Sequence, residues 1–366
     1  MNIQKEIKSL LVDLVKIPSV STDIDQLHKI VDYVENYFSG TNAIIERFEF
    51  NKKPSIVIKN FEWKKADIVL NWHLDVVPPS EENQFEPVEK DGKLYARGVG
   101  DMKVGDAIIM KLMKDLLNDN FRKKKISLIL TTDEEVGGSD GVEKLVKNWY
   151  TWDVVLIPDS GSLSRIIYAE KWIIHLTTEF SWVSCHASRP WFGESAVDNM
   201  IKFYSLLRNY IQDDKKLYGS KDHWGSSVSL NVVSGWKTTN VIPDKVEAKF
   251  DIRFTEEFNL EELLWQIKKF LLRTNGELKW LLTWDLIYTD PSDFHIQKYL
   301  SIAKKYVPEA ELSKEHGNSD GRFFAKTWSV VLFHKPTCGN LHWKREYVVL
   351  KELEVVYNIY KDFVYS

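Results

Sequence analysis

The sequence predicts an α/β protein with a mostly parallel sheet, helices on both of its faces, and an inserted α+β domain. The first part of the chain alternates apolar, β-branched runs with amphipathic helical runs, a pattern typical of βαβ units. Residues 169–285 instead show alternating, antiparallel-type strands with two helices, and the chain then returns to the first pattern. These two changes of pattern predict a domain at 1–168 and 286–366 that is interrupted by a second domain at 169–285.

The elements of the outer domain follow from hydrophobic periodicity. Strands are predicted at 55–59, 66–71, 125–132, 154–158 and 329–333. Helices are predicted at 3–14, 104–117, 142–147, 296–306, 321–326 and 351–363. In the inserted domain, strands at 173–180, 228–233, 245–254 and 278–287 accompany helices at 196–212 and 260–272. A sheet with two helices on one face is the ferredoxin-like arrangement.

Composition excludes several classes of protein. A chain of 366 residues exceeds one ordinary core, which favours two domains. The net charge of −4 gives no basic face, so nucleic acid is not an expected partner. No apolar run reaches 18 residues and the start does not resemble a signal peptide, so no membrane association is expected. The two cysteines, Cys185 and Cys338, have no metal-type spacing, and a reducing cytoplasm is expected.

Residues of the types that bind metal ions follow three of the predicted parallel strands. In an α/β sheet, ligands bind beyond the carboxyl ends of the strands. The residues at these three ends are His73 and Asp75, then Asp133, Glu134 and Glu135, and finally Asp159. Between the first two ends, the glycine-flanked loop ARGVGDMK carries a further acid, Asp101.

Each of these residues also has an ordinary structural interpretation. The His73-Leu74-Asp75 pattern is weak by itself, Asp101 or Asp159 can cap a helix or turn, and an acidic run is often a solvated loop. Together they favour a metal centre, because clustered carboxylates need a compensating cation. Oxygen and nitrogen ligands without cysteine suit zinc, cobalt or manganese, and a carboxylate can bridge two such ions.

His342 lies near the C-terminus, four residues before Glu346. If this segment were helical, both side chains would lie on one face. An ordinary helix start is the alternative interpretation of the same spacing.

Eight motifs occur in the same order as in a known enzyme family. They are HLDVVP, FEPVEKDGKLYARGVGDMK, TTDEEVGG, PDSGS, SCHASRP with GESAVDNM, TNVIP with FDIRF, NSDGRFFA, and LHWKREYV. In this order the chain resembles the dizinc exopeptidases and amidohydrolases, a family that includes succinyl-diaminopimelate desuccinylase, acetylornithine deacetylase, aminoacylase and glutamate carboxypeptidase. The resemblance covers nearly the whole chain.

The resemblance implies two zinc ions per chain, with cobalt or manganese as substitutes. It implies that His73 and Asp159 bind one ion, that Glu135 and His342 bind the other, and that Asp101 bridges them. It also implies a cis peptide bond between Asp101 and Met102, which is uncommon outside proline.

The same resemblance implies roles for two further acids and for the inserted domain. Asp75 would orient His73. Glu134 would be the general base, which takes a proton from the attacking water and delivers it to the leaving amine. The inserted domain would be a lid that forms a homodimer.

Five other residues are assigned to the substrate by the resemblance. His186 would stabilise the oxyanion in the partner's active site. Asn240 and Arg253 would hold the substrate, and the Arg253 guanidinium would bind the carboxylate of the substrate. Asn318 and Arg322 would line the same pocket. From the residues alone, a surface-loop histidine is the favoured interpretation of His186. A core-strand arginine paired to a neighbouring acid is the alternative interpretation of Arg253.

Tryptophan is unusually abundant, with 14 residues against 17 glycines. At the usual ~7% glycine, roughly 26 would be expected. Tryptophan stands where the family pattern has a small residue at Trp72, Trp182, Trp236, Trp328 and Trp343, and Trp149 and Trp172 are further examples. Our hypothesis is that these codons are UGA, read as glycine in the source organism. Trp72 and Trp343 flank proposed metal ligands, where an indole could crowd the site.

The expected activity is hydrolysis of an amide bond next to a free carboxylate, which releases an amino acid from an N-acyl amino acid. Within the family, the NSDGRFFA and TNVIP segments and the chain length most resemble succinyl-diaminopimelate desuccinylase. A dipeptidase or carboxypeptidase acting on short peptides is the alternative with the same residues. A non-catalytic dimeric homologue is the alternative from another class, and a single-metal hydrolase is a third.

Overall fold

A computed structural model describes residues 2–119, 121, 123–148, 150–235, 238–327 and 329–366. The chain divides into two compact units. Unit 1 contains residues 1–169, 288–315 and 319–366, and unit 2 contains 170–287 and 316–318. These divisions lie within a few residues of the boundaries at 169 and 285 that the sequence suggested.

The described residues form ten helices: α1 Ile3–Val15, α2 Ile24–Phe38, α3 Val104–Asn118, α4 Val142–Lys147, α5 Ala196–Ile211, α6 Asp214–Gly219, α7 Leu260–Arg273, α8 Phe294–Tyr306, α9 Gly321–Ala325 and α10 Leu353–Tyr365. Side chains that accept backbone N–H groups fix several starts. Asp23 caps α2 through the amide of Gln26, and Asn259 caps α7 through those of Glu261 and Glu262.

The strands up to the start of unit 2 are β1 Ile44–Phe50, β2 Lys53–Lys59, β3 Lys65–His73, β4 Val88–Lys90, β5 Lys93–Tyr95, β6 Ile126–Thr131, β7 Thr151–Ile157 and β8 Arg165–Glu170. Those that follow are β9 Trp172–Ser181, β10 Cys185–His186, β11 Ser227–Gly235, β12 Val241–Ile242, β13 Lys245–Phe254, β14 Gly276–Trp284, β15 Ile287–Tyr288, β16 Glu311–Glu315, β17 Val330–Phe333, β18 Cys338–Gly339 and β19 Tyr347–Val349.

The large sheet of unit 1 confirms the predicted α/β fold class. Its strand order is β1-β2-β6-β3-β7-β17-β8-β15, with β16 beside β8. The central strands β6, β3, β7 and β17 are parallel, whereas β1, β2 and β8 join them antiparallel. Strand β6 is buried along its whole length, and helix α3 packs on β3 and β6 while α9 packs on β17.

Unit 2 is an α+β fold built on one antiparallel sheet of order β11-β13-β9-β14. The chain order is β9, α5, β11, β13, α7, β14, which is the ferredoxin-like connection. Helices α5 and α7 pack on the sheet and on each other over a shared apolar core that includes Phe180, Phe203 and Phe250.

A small sheet in unit 1 was not anticipated from the sequence. Its order is β18-β19-β5-β4, and each strand has two or three residues. Strand β19 pairs with β5, so the chain around residue 346 lies beside the chain around residue 96. Among the described residues, no helix is long and apolar enough to cross a membrane.

Candidate metal centre and active site

The metal-type residues predicted at three strand ends lie along one edge of the large sheet. Strand β3 ends at His73, β6 ends just before Thr132, and β7 ends just before Pro158. Because β6 and β7 both run parallel to β3 as its neighbours, their carboxyl ends meet at the same edge. This edge therefore receives His73, the acidic turn after β6, and Asp159.

The carboxylate of Asp101 lies between two histidines. Its Oδ1 atom is 3.2 Å from Nε2 of His73, and its Oδ2 atom is 3.0 Å from Nε2 of His342. Two ligand atoms that share one tetrahedral zinc lie roughly 3.4 Å apart, given bonds of about 2.0–2.2 Å. Each oxygen of Asp101 is thus at ligand spacing from a different histidine, which is the arrangement of a bridging carboxylate.

Glu135 joins the His342 side of this cluster, with its Oε1 atom 3.2 Å from Nε2 of His342. Ligand atoms of His73, Asp101 and Glu135 all lie within 4.8 Å of one another. Asp159 belongs to the same electrostatic environment, because burial first and the charge of Asp101 second raise its pKa. Nitrogen and oxygen donors at this spacing fit zinc or a related divalent ion.

The ionisation of the cluster reflects its mixture of charges. Hydrogen bonds to Asp101 and Glu135 raise the pKa of His342 to about 10. Burial opposes ionisation of Asp101, but hydrogen bonds from His342 and His73 hold its pKa well below the usual range. The carboxylates therefore favour positive charge at the position between the histidines. Protons or metal ions can supply that charge.

Asp75 lies beneath the cluster and is completely buried. Its Oδ1 atom is 3.4 Å from Nδ1 of His73, and its backbone carbonyl oxygen is 3.0 Å from the same nitrogen. The Asp75 carboxylate also accepts the backbone N–H groups of Glu134 and Glu135, both at 3.3 Å. Ser21, which sequence reasoning missed, donates to it at 2.7 Å. Asp75 therefore contacts both His73 and the turn that carries Glu134.

Glu134 is mostly buried, and its Oε2 atom is 4.0 Å from Nε2 of His73. Burial raises its pKa well above that of an ordinary glutamate, and the nearby carboxylates of Asp159 and Asp320 act in the same direction. A carboxyl group with a raised pKa next to a metal centre has the properties of a general acid and base.

Arg322 is placed by the structure against the turn that carries Glu134. The residue is only 3% exposed. Its guanidinium donates to the carbonyl oxygens of Gly137 and Ser319, both at 2.7 Å. A direct substrate contact would have to compete with these bonds, so the substrate role of Arg322 stays a prediction.

The loop with Asp101 has the cis peptide bond that the resemblance implied, between Asp101 and Met102. The second expectation for this region, a helix over His342 and Glu346, is wrong. Residues 341–345 form turns and a bend, Glu346 is in neither a turn nor a helix, and His342 has a φ of +59°. The two side chains consequently do not share a helix face.

The proposed substrate residues of unit 2 lie on different parts of that unit. His186, on β10, is exposed, and its Nδ1 atom is 2.8 Å from the hydroxyl of Ser188. The carbonyl oxygen of Asn240 accepts the N–H of Ala187 across the β10-β12 pair. Asn318 donates to the carbonyl oxygens of Lys171 and Asp285, at 2.9 and 2.8 Å.

Arg253 is paired to a neighbouring acid, as its alternative interpretation as a strand arginine predicted. Its guanidinium binds Asp251 at two points, with distances of 2.7 and 2.9 Å. His175 also lies 3.0 Å from Asp251. Arg253 remains partly exposed, and any substrate carboxylate would share it with Asp251.

The two tryptophans beside the proposed metal ligands differ in exposure. Trp72 is 1% exposed, and its ring lies 6.3 Å from that of Tyr360. A methyl group on Gly105 would lie 1.9 Å from Nε1 of Trp72, so the indole fills the space that this glycine leaves. Trp343 is 66% exposed, and Trp182 is also at the surface. Trp149, Trp236 and Trp328 lie outside the described residues.

Lys335 is a buried cation near the centre that sequence reasoning missed. Its Nζ atom donates to the carbonyl oxygen of Asp159 at 2.5 Å and to that of Gly100 at 3.3 Å. The flanking sequence gave no sign of this role, because the lysine follows a strand that the sequence marks only as apolar.

Residues 69–366 match peptidase family M20/M25/M40, and the chain belongs to this family. It is therefore a metal-dependent hydrolase of the amidohydrolase and exopeptidase type. The succinyl-diaminopimelate desuccinylase of Thiobacillus denitrificans is 26% identical over 97% of this chain and 93% of its own. An uncharacterized metallohydrolase of Methanocaldococcus jannaschii is 29% identical over 91% of each chain. The aminopeptidase PepT of Bacillus cereus shares the fold, with a TM-score of 0.79 at 18% identity over 99% of this chain and 98% of that one.

Proposed function

We propose that the protein is a two-zinc hydrolase that cleaves an amide bond next to a free carboxylate, with an N-succinyl amino acid as its substrate class. The observation that carries this proposal is the Asp101 carboxylate, which offers one oxygen to each histidine of the cluster. The similarity to desuccinylases along nearly the whole chain supports the choice of acyl group.

In this proposal His73 and Asp159 would hold one ion, Glu135 and His342 would hold the second, and Asp101 would be shared between the two. When bound, the two ions polarise the scissile carbonyl and lower the pKa of the attacking water. Cobalt or manganese would satisfy the same ligands.

Glu134 moves the proton. Its carboxyl group adjoins the cluster, and its raised pKa suits a group that accepts a proton from water and then donates it to the leaving amine. Asp75 holds the His73 ring through Nδ1, so that Nε2 faces the cluster. The same carboxylate accepts the backbone N–H groups of Glu134 and Glu135. These bonds fix the turn that carries the proposed base, Glu134, and the proposed ligand, Glu135, relative to His73.

Unit 2 serves as lid and dimerisation domain in this proposal. His186 would stabilise the oxyanion in the partner subunit's site through its Nε2 atom, since Nδ1 faces Ser188. Asn240, Arg253 and Asn318 would bind the substrate, and the guanidinium of Arg253 is suited to the free carboxylate. The cytoplasm remains the proposed location of the homodimer.

The test is amine release by zinc-loaded protein from N-succinyl-diaminopimelate, N-acetylornithine, other N-acyl amino acids and dipeptides. Each substrate is measured with and without a chelator and with Glu134→Ala. Glu309→Ala, which removes an exposed carboxylate, is the control. Chelator-sensitive turnover of the succinyl substrate, lost in Glu134→Ala alone, is expected.

The other outcomes separate the alternatives. Turnover restricted to dipeptides would replace the desuccinylase with a dipeptidase. Full activity with one tightly bound ion would contradict the two-ion site. Less than one bound ion per chain after reconstitution, with no turnover, would favour a non-catalytic homologue.

A further inference from the structure

Glu346 is a buried carboxylate with no role among the proposed metal ligands. Its side chain is completely buried in unit 1, just before β19. Its Oε1 atom accepts two backbone N–H groups, from Gly100 at 2.9 Å and from Asp101 at 3.1 Å. The carboxylate thus holds the two peptide groups on either side of the Gly100 Cα, Val99–Gly100 and Gly100–Asp101.

The second oxygen of Glu346 is fixed by Arg97. Nη1 of Arg97 lies 2.6 Å from Oε2 of Glu346, and the arginine is 1% exposed. Two backbone hydrogen bonds hold the segment around Arg97 in place. The Ala96 N–H donates to the backbone carbonyl oxygen of Glu346 at 3.1 Å, and the Arg97 N–H donates to the backbone carbonyl oxygen of Gln84 at 2.7 Å. Because both carboxylate oxygens of Glu346 are hydrogen-bonded, the buried ion pair of Glu346 and Arg97 is held in one orientation.

The same network reaches the second histidine of the cluster. Nη2 of Arg97 donates to Oγ of Ser80 at 2.7 Å, and Ser80 donates to the carbonyl oxygen of His342 at 3.2 Å. Gln84 donates to the carbonyl oxygen of Trp343 at 2.8 Å. The turn with His342 and the loop with Asp101 are therefore tied to one buried ion pair.

We propose that Glu346 and Arg97 are positioning residues that hold Asp101 and His342 at ligand spacing. The inference rests on the proposed two-metal function. The bridging carboxylate must present its two oxygens in two directions at once, so a small rotation of the Asp101 backbone would misplace both. Partners that orient metal ligands typically contribute 10–100-fold to metal affinity or activity.

The test measures zinc content and zinc affinity, by chelator competition, in Glu346→Gln and Arg97→Lys. Glutamine has the same shape but one acceptor oxygen, so it cannot serve both the two amides and Arg97. Lysine keeps the charge but loses the forked contact to Ser80. Glu352→Gln is the control, because Glu352 is also buried and, within the part of the chain that the structure describes, its carboxylate accepts one amide N–H, that of Thr337.

We expect zinc affinity to fall about 10–100-fold in Glu346→Gln and several-fold in Arg97→Lys, with kcat lowered and KM little changed. Glu352→Gln should bind zinc like the wild type. The melting temperature, measured with and without zinc, should show a smaller zinc-induced rise in Glu346→Gln.

A purely structural role would lower the melting temperature of the zinc-free and zinc-loaded forms equally and leave zinc affinity unchanged, which would overturn the inference. If Glu346→Gln does not fold, unchanged zinc affinity in Arg97→Lys would overturn it instead. Failure of the wild type to bind two ions would be a failure of the proposed function. Two ions in the wild type, together with wild-type zinc affinity in both variants, would be a failure of this inference alone.

Discussion

Replacement of Trp72 by glycine tests whether the tryptophan beside His73 is a genuine part of the core. The indole is fully buried against Tyr360 and the backbone at Gly105. Deletion of a buried tryptophan side chain costs about 3–5 kcal/mol, and glycine in a strand adds about 0.5–1 kcal/mol. The indole Nε1 has no hydrogen-bond partner among the described residues. Removal of this buried donor therefore relieves a desolvation penalty of about 1–3 kcal/mol. The net expectation is a loss of about 3 kcal/mol of unfolding free energy.

The assay is urea and thermal unfolding of Trp72→Gly, with Trp343→Gly as the matched control. Trp343 is mostly exposed, so its replacement should change stability by no more than about 0.5 kcal/mol. A Trp72→Gly protein as stable as the parent, or more stable, would refute the packing argument. That result would favour the hypothesis that glycine is the natural residue at position 72. UGG codons at these tryptophan positions would refute the glycine hypothesis independently.

Three further predictions concern the metal centre and the pH dependence of stability. Because the pKa of His342 is raised to about 10, zinc must displace its proton, and zinc affinity should rise up to about tenfold per pH unit between pH 6 and 9; an affinity independent of pH, by chelator competition, would contradict this. Burial lowers the pKa of His334 to about 4, so the neutral ring stabilises the fold above pH 6.5 and this stability is lost as pH falls towards 4. The loss should reach about 3 kcal/mol in urea titrations, and His334→Asn should flatten the profile. Asp75→Asn should lower zinc affinity and kcat about 10–100-fold, measured by chelator competition and steady-state kinetics, whereas unchanged values would remove Asp75 from the site.

Periodicity predicted the bounds of several elements closely. Helix α4 and strand β13 have the same bounds in the sequence analysis and in the structure, 142–147 and 245–254. Helix α2 was not anticipated, although Asp23 caps it and its buried residues Leu27, Ile30 and Val34 have helical spacing. That signal was present in the sequence and was overlooked.

The small sheet could not be predicted from the sequence. Strand β4 has three exposed residues, and β18 has two, too few for any period to emerge. These strands depend on pairing between segments that are far apart in the chain, such as Val348 with Leu94. Such pairing is a tertiary property that local propensity does not encode.

The ligand types of the metal centre were visible in the sequence, but their geometry was not. The strand ends at His73 and Asp159 identified the edge of the sheet, because parallel topology fixes which ends meet. The division of the two Asp101 oxygens between the histidines depends on a loop, and the sequence gave no period for it. The spacing of His342 and Glu346 was misleading because a helix was assumed where turns occur.

The interrupted course of unit 1 has a consequence for synthesis on the ribosome. Strand β17, at Val330–Phe333, lies parallel to β7, at 154–157, so the sheet gains this central strand only after residues up to 333 have emerged. The segment that forms most of unit 2 is continuous and leaves the ribosome earlier, and domains generally fold as units. The growing chain therefore leaves one edge of the apolar strand β7 without its β17 partner for the time taken to make some 170 residues, at about 5–20 residues per second. Chaperone demand during synthesis should be concentrated in that interval.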